Sequence, residues 1–275
     1  MSSTPVTEAP PALDLATVAA IVERDGIAGL PGALDPAWVA RLRADFEHAD
    51  TEARAHPGGT VGRGPNRYYF AVHPEKLSGF TDLVTHPYVT GLCGMMLGPD
   101  WQIAEVGFDI PLPGAQDQPW HRDFATPPGE TRLSSLAFNV TTVTVRPEMG
   151  PLQIVPGSHR EPGDTFEHGM FPPTGADYAA RAVPKLPRVG DASVRTGLAI
   201  HRGTANHSAV SRPVLILGAV APHVVTGHAH DLVLTRAYAA RLPAGVLDRL
   251  RVTALVDELS PLTQRHDIEG LRMGG

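Results

Sequence analysis

Hydrophobic positions fall into two regimes along this chain. Leu15, Val18, Ala19 and Val22 recur at helical spacing until Gly26 stops the run. Trp38, Leu42 and Phe46 mark the buried face of a second helix, behind Asp35 as N-cap and Pro36 at its first position. Val89, Leu92, Cys93 and Met96 form a third, closed by Gly98-Pro99. Between the first two helices, Gly26 to Leu34 reads as a short strand and turn. From Trp101 onward the pattern changes to short β-favouring runs, over 101–110, 133–145 and 214–220, separated by Pro/Gly-rich turns. Within these, Leu136, Phe138 and Val140 alternate as a half-buried strand should. A further helical piece is expected between 235 and 252, around Tyr238, Leu242, Leu247 and Leu250. Helices followed by many short strands predict an α+β protein with a β-sandwich or jelly-roll core.

Length and composition narrow the class. A chain of 275 residues suits one large domain. Residues 1–12, rich in Pro, Ser and Thr, are expected to form a mobile tail, leaving 13–275 as a single domain. An apolar fraction of 42% and a charged fraction of 19% are those of a globular protein rather than a disordered or membrane one. A net charge of −6 without any Lys/Arg cluster argues against nucleic acid as a partner and leaves a small molecule as the expected one. Cys93 stands alone, so neither an intrachain disulfide nor a thiolate zinc site can be built, which fits a reducing cytoplasm. No signal-like N-terminus and no membrane-spanning run is present, so a cytoplasmic location is expected. Oligomeric state is not legible.

The chemistry concentrates in two segments. In Gln118-Pro-Trp-His121-Arg-Asp123, residues two apart on a strand project from one face, so the His121 imidazole and the Asp123 carboxylate can meet at one point. A short His/Asp pair is weak by itself. The second segment, His201-Arg-Gly-Thr-Ala-Asn206-His-Ser208-Ala-Val-Ser-Arg212, changes the reading by offering a distant histidine. Two imidazoles and one carboxylate on one face of a divalent ion leave the other face open, the arrangement of non-haem Fe(II) oxygenases. Arg212 opens an otherwise apolar strand. A guanidinium inside a barrel needs a carboxylate partner, and the distal carboxylate of 2-oxoglutarate would be one. At a plain strand end it would instead meet solvent or an acidic side chain.

These residues resemble the phytanoyl-CoA dioxygenase family of Fe(II)/2-oxoglutarate oxygenases over nearly the whole chain. Asp25 to Leu34 followed by a helix is similar to the family's N-terminal signature, and His121-Arg-Asp123 to its proximal metal motif. Met149-Gly-Pro-Leu-Gln-Ile-Val-Pro-Gly-Ser-His159 resembles its G-P-L … P-G-S-H turn. Gly190-Asp191 ahead of His201, and the spacing from His201 to Asn206, Ser208 and Arg212, follow its pattern. The resemblance implies a double-stranded β-helix (jelly roll, cupin-like) core with N-terminal and flanking helices. It implies His121, Asp123 and His201 as ligands of Fe(2+) and as the catalytic centre, with Arg212 clamping 2-oxoglutarate. Ser208 would assist Arg212, and Gln118 and Ser158 would lie near the cosubstrate. Position 203 is Gly where some relatives carry a serine. O2 would be the second cosubstrate, with decarboxylation of 2-oxoglutarate driving oxidation of a C–H bond. Related halogenases replace the metal carboxylate with a small residue; Asp123 is retained, so hydroxylation is favoured over halogenation.

The substrate would be a small metabolite or natural-product intermediate, held by residues 60–75 with Arg63, Arg67 and Tyr69, by the loop 124–132 and by the insertion 160–185. Trp120 is expected to pack beside the site, His159 and His207 to be supporting or packing groups, and His228, His230 and Asp231 to be structural or solvated. Three alternatives stay open: a cupin-like zinc hydrolase or isomerase, a non-catalytic binder on the same fold, and an oxygenase that desaturates, epimerises or closes a ring.

Overall fold

A computed structural model describes residues 14–123, 133–161, 177–224 and 232–264. The tail at 1–12, the loop 124–132, most of the 160–185 insertion, and His228, His230 and Asp231 lie outside the described residues.

The N-terminal third is built as its apolar spacing requires. Helix α1 (Leu15–Asp25) starts on Asp14, whose carboxylate accepts the Thr17 N–H at 2.9 Å, and stops at Gly26, whose φ of 80° only glycine takes without strain. Strand β1 (Ile27–Leu30) follows. Helix α2 (Pro36–Ala55) is capped by Asp35 accepting from the Ala37 N–H at 2.6 Å, and buries Trp38 and Leu42. Phe46 is half-buried, packed on Phe70 and Phe108 with ring centroids 6.4 and 5.0 Å away. Helices α3 (Phe80–Val84) and α4 (Pro87–Leu97) complete the layer, α4 burying the four positions its sequence marks.

The strand regions are β2 (Val61–Gly62), β3 (Arg67–Ala71), β4 (Gln102–Pro111), β5 (Ser135–Thr141), β6 (Leu152–Ile154), β7 (Val183–Pro184), β8 (Ala192–Arg195), β9 (His201–Gly203), β10 (Val214–Val220), β11 (Leu232–Thr235) and β12 (Val252–Val256). A seven-stranded antiparallel sheet has the order β1-β8-β5-β10-β4-β3-β2, and a three-stranded sheet the order β7-β6-β9. These are the two walls of the jelly roll. The large sheet packs one face, through Phe70, Phe108, Phe138, Val194, Leu215 and Leu217, against the helices in one continuous core. Each such side chain contributes about 1.5–3 kcal/mol on burial.

The other face of the large sheet is polar and turns inward. Arg67, Asp109, Asn139, Ser193 and Arg195 alternate with core residues on β3, β4, β5 and β8, and most of them are buried too. All seven residues of β5 are buried, so Leu136, Phe138 and Val140 do not belong to a half-buried strand: a second wall covers the polar face as well. Within the 60–75 region, residues 67–71 form a strand pairing with β4, because Tyr68, Phe70 and Val72 supply a period-two apolar face against the helices. One further expectation is corrected. The helical piece at 235–252 divides into two single turns, α6 (Arg236–Ala239) and α7 (Ala244–Leu247), broken at Pro243, while Leu250 bridges Ile103. One more turn, α5 (Tyr178–Arg181), precedes β7. Among the described residues, no helix is long and apolar enough to cross a membrane.

Candidate metal centre

His121 and His201 face each other across a single antiparallel bridge, each N–H donating to the other's carbonyl at 3.0 Å. His121 thus lies on an isolated bridge and not within a continuous strand, so the two-residue strand geometry does not by itself explain how it meets Asp123. A second backbone bond does that: the Asp123 N–H donates to the Gly197 carbonyl at 2.8 Å, in the turn leading to β9. The side chains of His121, Asp123 and His201 converge, with one ligand atom from each within 4.8 Å of the others. Asp123 Oδ1 is 3.5 Å from His201 Nε2 and 4.0 Å from His121 Nε2.

Both imidazoles are set in the tautomer a metal needs. Nδ1 of His121 meets the Pro119 carbonyl at 2.8 Å and Nδ1 of His201 the Ala199 carbonyl at 2.9 Å. A carbonyl only accepts, so each Nδ1 carries the proton and each Nε2 presents its lone pair. Burial lowers the pKa of His121 to about 4 and that of His201 well below the ordinary value, in the second case reinforced by the Arg195 charge. Burial acts against the ionised Asp123, but the Arg195 guanidinium, with help from the two histidines, outweighs it and holds the carboxyl well below its usual range. Two neutral imidazoles and one carboxylate are therefore ready at neutral pH to take a divalent ion without first losing protons. Ligands on one face of an ion bonded at about 2.1 Å stand about 3 Å apart, so the observed spacings are this set slightly expanded. The residues present fit a divalent metal.

Arg212 stands at the entry to β10, its N–H on the Pro111 carbonyl and its Nε donating to the Met149 carbonyl at 3.2 Å. Burial first, and then the charge of Arg67, bring its pKa down to about 10 against the opposing pull of Asp109. Among the described residues no carboxylate pairs with it. Asn206 fixes the approach: its amide donates to the Pro111 and Val210 carbonyls and its oxygen accepts from the Ser208 N–H and hydroxyl, at 2.7–3.1 Å. The hydroxyl of Ser208 is thereby held inside that turn, donating also toward the Val210 carbonyl at 3.1 Å.

The remaining sequence-marked residues occupy varied places. Gln118 bridges two segments, accepting from the Gly203 N–H at 2.9 Å and donating to the Arg63 carbonyl at 3.5 Å. Ser158 is fully buried, donating to the Val155 carbonyl and accepting from the Ile200 N–H at 2.7 and 2.8 Å, which aligns the chain just before His201. Arg67 grips Asp109 with Nε at 3.0 Å and Nη2 at 2.5 Å, while its buried Nη1 has no hydrogen bond. Gly203 explains that placement, since a Cβ there would stand 1.7 Å from Arg67 Nη1. The space a serine would fill is taken by a guanidinium. Arg63 lies 4.6 Å over the ring of buried Tyr69. Trp120 packs with Val155, Tyr178 and Ile200 beneath Arg202, and His159, beside α1, donates from Nε2 to the Glu23 carbonyl at 3.0 Å.

Three residues of the inner face carry no motif and were not singled out by the sequence: Arg195, Asp109 and Lys185. Arg195 pairs with Asp123 Oδ2 at 2.5 Å and Asp109 with Arg67. The available signal was a charged residue at an alternating position inside an apolar strand run, as in Ala192-Ser-Val-Arg195 and Phe108-Asp-Ile110.

The fold and this side-chain set are those of a metal-dependent jelly-roll protein. The profile of the phytanoyl-CoA dioxygenase (PhyH) family matches residues 22–214, and the chain belongs to that family. It is 26% identical over 147 residues to the ectoine dioxygenase of Stutzerimonas stutzeri (strain A1501), a match covering 50% of this chain and 48% of that one, so the chain spans about half the length of this curated relative. Among solved structures it resembles the non-heme alpha ketoglutarate dependent epimerase SnoN from nogalamycin biosynthesis, at 24% identity and a TM-score of 0.58 over 75% of this chain and 80% of that one. It also resembles HygX from Streptomyces hygroscopicus, solved with nickel and 2-oxoglutarate bound, at 15% identity and a TM-score of 0.61 over 80% and 94%.

Proposed function

We propose that this protein is an Fe(II)- and 2-oxoglutarate-dependent dioxygenase that oxidises, most simply by hydroxylation, a C–H bond of a small molecule. The single observation that carries the reading is the convergence of His121, Asp123 and His201 with both Nε2 lone pairs turned toward the carboxylate. The metal with its keto-acid cosubstrate, when bound, supplies activation of O2 coupled to decarboxylation to succinate. The chain's part is to bind and orient. His121, Asp123 and His201 would hold the iron. Arg212, buried and without a carboxylate partner among the described residues, takes the distal carboxylate of 2-oxoglutarate. Arg195 fixes one oxygen of Asp123, leaving the other, nearest the two Nε2 atoms, as the one that would meet the metal. Gln118 and Ser158 set the backbone around β9, and Asn206 with Ser208 sets the turn before Arg212. Retention of Asp123 disfavours halogenation. Whether the oxidised carbon is hydroxylated, desaturated, epimerised or cyclised is governed by where the substrate places its reacting hydrogen. Residues 13–275 act as one domain in this reading.

The test is anaerobic addition of Fe(II) and 2-oxoglutarate to the full chain, watched for the weak visible charge-transfer band of the chelate. The band is expected in the wild type, absent in His201→Ala, and half-saturated at no less than tenfold higher 2-oxoglutarate in Arg212→Ala. No band in the wild type rules the assignment out. A zinc hydrolase on the same scaffold has no use for Arg212, so activity untouched by Arg212→Ala would favour that reading instead.

A further inference from the structure

The inner wall carries more positive charge than the proposed iron and cosubstrate need. Arg67 is balanced by Asp109. Arg212 matches the distal carboxylate of 2-oxoglutarate, and Asp123 with the remaining carboxylate would only equal the two charges of Fe(II), so Arg195, although paired with Asp123, adds one uncompensated positive charge. Lys185 adds another. It follows β7 at the edge of the small sheet, and its stem crosses the interior to the large sheet, where the amine donates to Ser193 Oγ at 2.8 Å. Ser193 and Arg195 sit two apart on β8, on the face that carries the metal-binding carboxylate's partner, and both are buried. Burial first, and then the charges of Arg195 and Arg212, push the Lys185 pKa well below that of a free amine. No anion balances it among the described residues. Arg195 Nε, on the same wall, has no hydrogen bond and is a donor free for an anion. A half-buried ammonium repelled by two guanidinium groups is costly unless a ligand supplies negative charge.

We infer that Lys185, Ser193 and Arg195 form a second carboxylate subsite inside the barrel, and that an acid group of the substrate fills it. This rests on the oxygenase reading above and adds to it a substrate class: small molecules bearing a carboxylate, oriented by that group beside the metal. Lys185 and Arg195 here are ligands of the acid group, distinct from the Arg212 clamp.

The experiment uses the full chain loaded anaerobically with Fe(II) and saturating 2-oxoglutarate, with acetate as the probe and acetamide as its neutral control. Acetate is expected to shift the visible chelate band and the tryptophan fluorescence saturably, and acetamide to leave both unchanged. Lys185→Met should raise the acetate midpoint at least tenfold while moving the 2-oxoglutarate midpoint less than threefold; Lys185→Arg should restore the acetate response. Equal responses to acetate and acetamide, or an acetate midpoint indifferent to Lys185→Met, would overturn the subsite. A tenfold or greater loss of 2-oxoglutarate affinity in Lys185→Met would also overturn it, by assigning Lys185 to the cosubstrate. If Lys185→Met does not fold, Ser193→Ala is read in the same way, with a threefold or greater acetate shift expected. A wild type that forms no chelate band fails at the oxygenase reading, whereas a chelate that ignores acetate fails only at the subsite.

Discussion

Arg195 decides how Asp123 meets a cation. By occupying Oδ2, it leaves Oδ1 as the oxygen nearest both Nε2 atoms. Groups that orient metal ligands typically contribute 10–100-fold to metal affinity. Arg195→Leu is therefore expected to weaken Co(II) binding about 10–100-fold, read as the visible band of the substituted metal, while thermal stability falls less than for a ligand substitution. Unchanged Co(II) affinity would show that Asp123 is ordered by its backbone bond to Gly197 alone. The same scale shows why Arg63, Arg67 and Tyr69 resist assignment by type. Arg67 is tied to Asp109 through Nε and Nη2 while its Nη1 stays without a hydrogen bond, and Arg63 lies over the Tyr69 ring, so each side chain serves the wall whatever else it touches.

At the level of elements, β3 and β9 belong to different walls and meet at Gly203. The guanidinium of Arg67 lies where a Cβ at position 203 would be, so its place between the two walls depends on the glycine that β9 carries there. Gly203→Ala forces that guanidinium away from Asp109, leaving a buried carboxylate with less compensation. A loss of about 3 kcal/mol is expected, in the range for breaking a buried pair, measured as a lowered urea midpoint with unchanged m-value. Gly203→Ala that is as stable as the wild type would mean that Arg67 relocates without cost. Gly150, just before β6, plays a related part against the turn that follows β9, with φ of 69° and a Cβ position 2.6 Å from the Thr204 carbonyl oxygen.

Across the whole molecule, the polar interior is buried between two walls, and its titration is coupled to folding. In the metal-free protein the pKa of His121 lies near 4 and that of His201 also below 6.5, while an unfolded chain protonates them near 6.5. Between those values the unfolded state binds more protons, so stability falls as the pH drops from 6.5 toward 4 and is fully present above 6.5. The slope is about 1.4 kcal/mol per pH unit for each imidazole. Urea midpoints in the presence of a chelator should therefore decline from pH 7 to pH 5, and His121→Asn should flatten the decline. A pH-independent midpoint over that interval would contradict the burial argument.

Much of the architecture was legible because it follows from local rules. Apolar spacing with Asp35-Pro36 and Gly26 placed the first helices, and alternation placed β4, β5 and β10. Two histidines and an aspartate in family-like motifs marked the centre. The sequence by itself determined the ligand types, the lack of a cysteine set able to build a thiolate metal site and the order of elements, since these depend on residue identity and near neighbours. Only the tertiary structure decided which oxygen of Asp123 faces the histidines, that 67–71 is a strand, and that Arg195, Asp109 and Lys185 line the interior. The physical reason is that a period-two pattern specifies two faces but not what covers each one. A charged residue on the second face reads as solvent-exposed until another sheet, brought from far along the chain, closes over it.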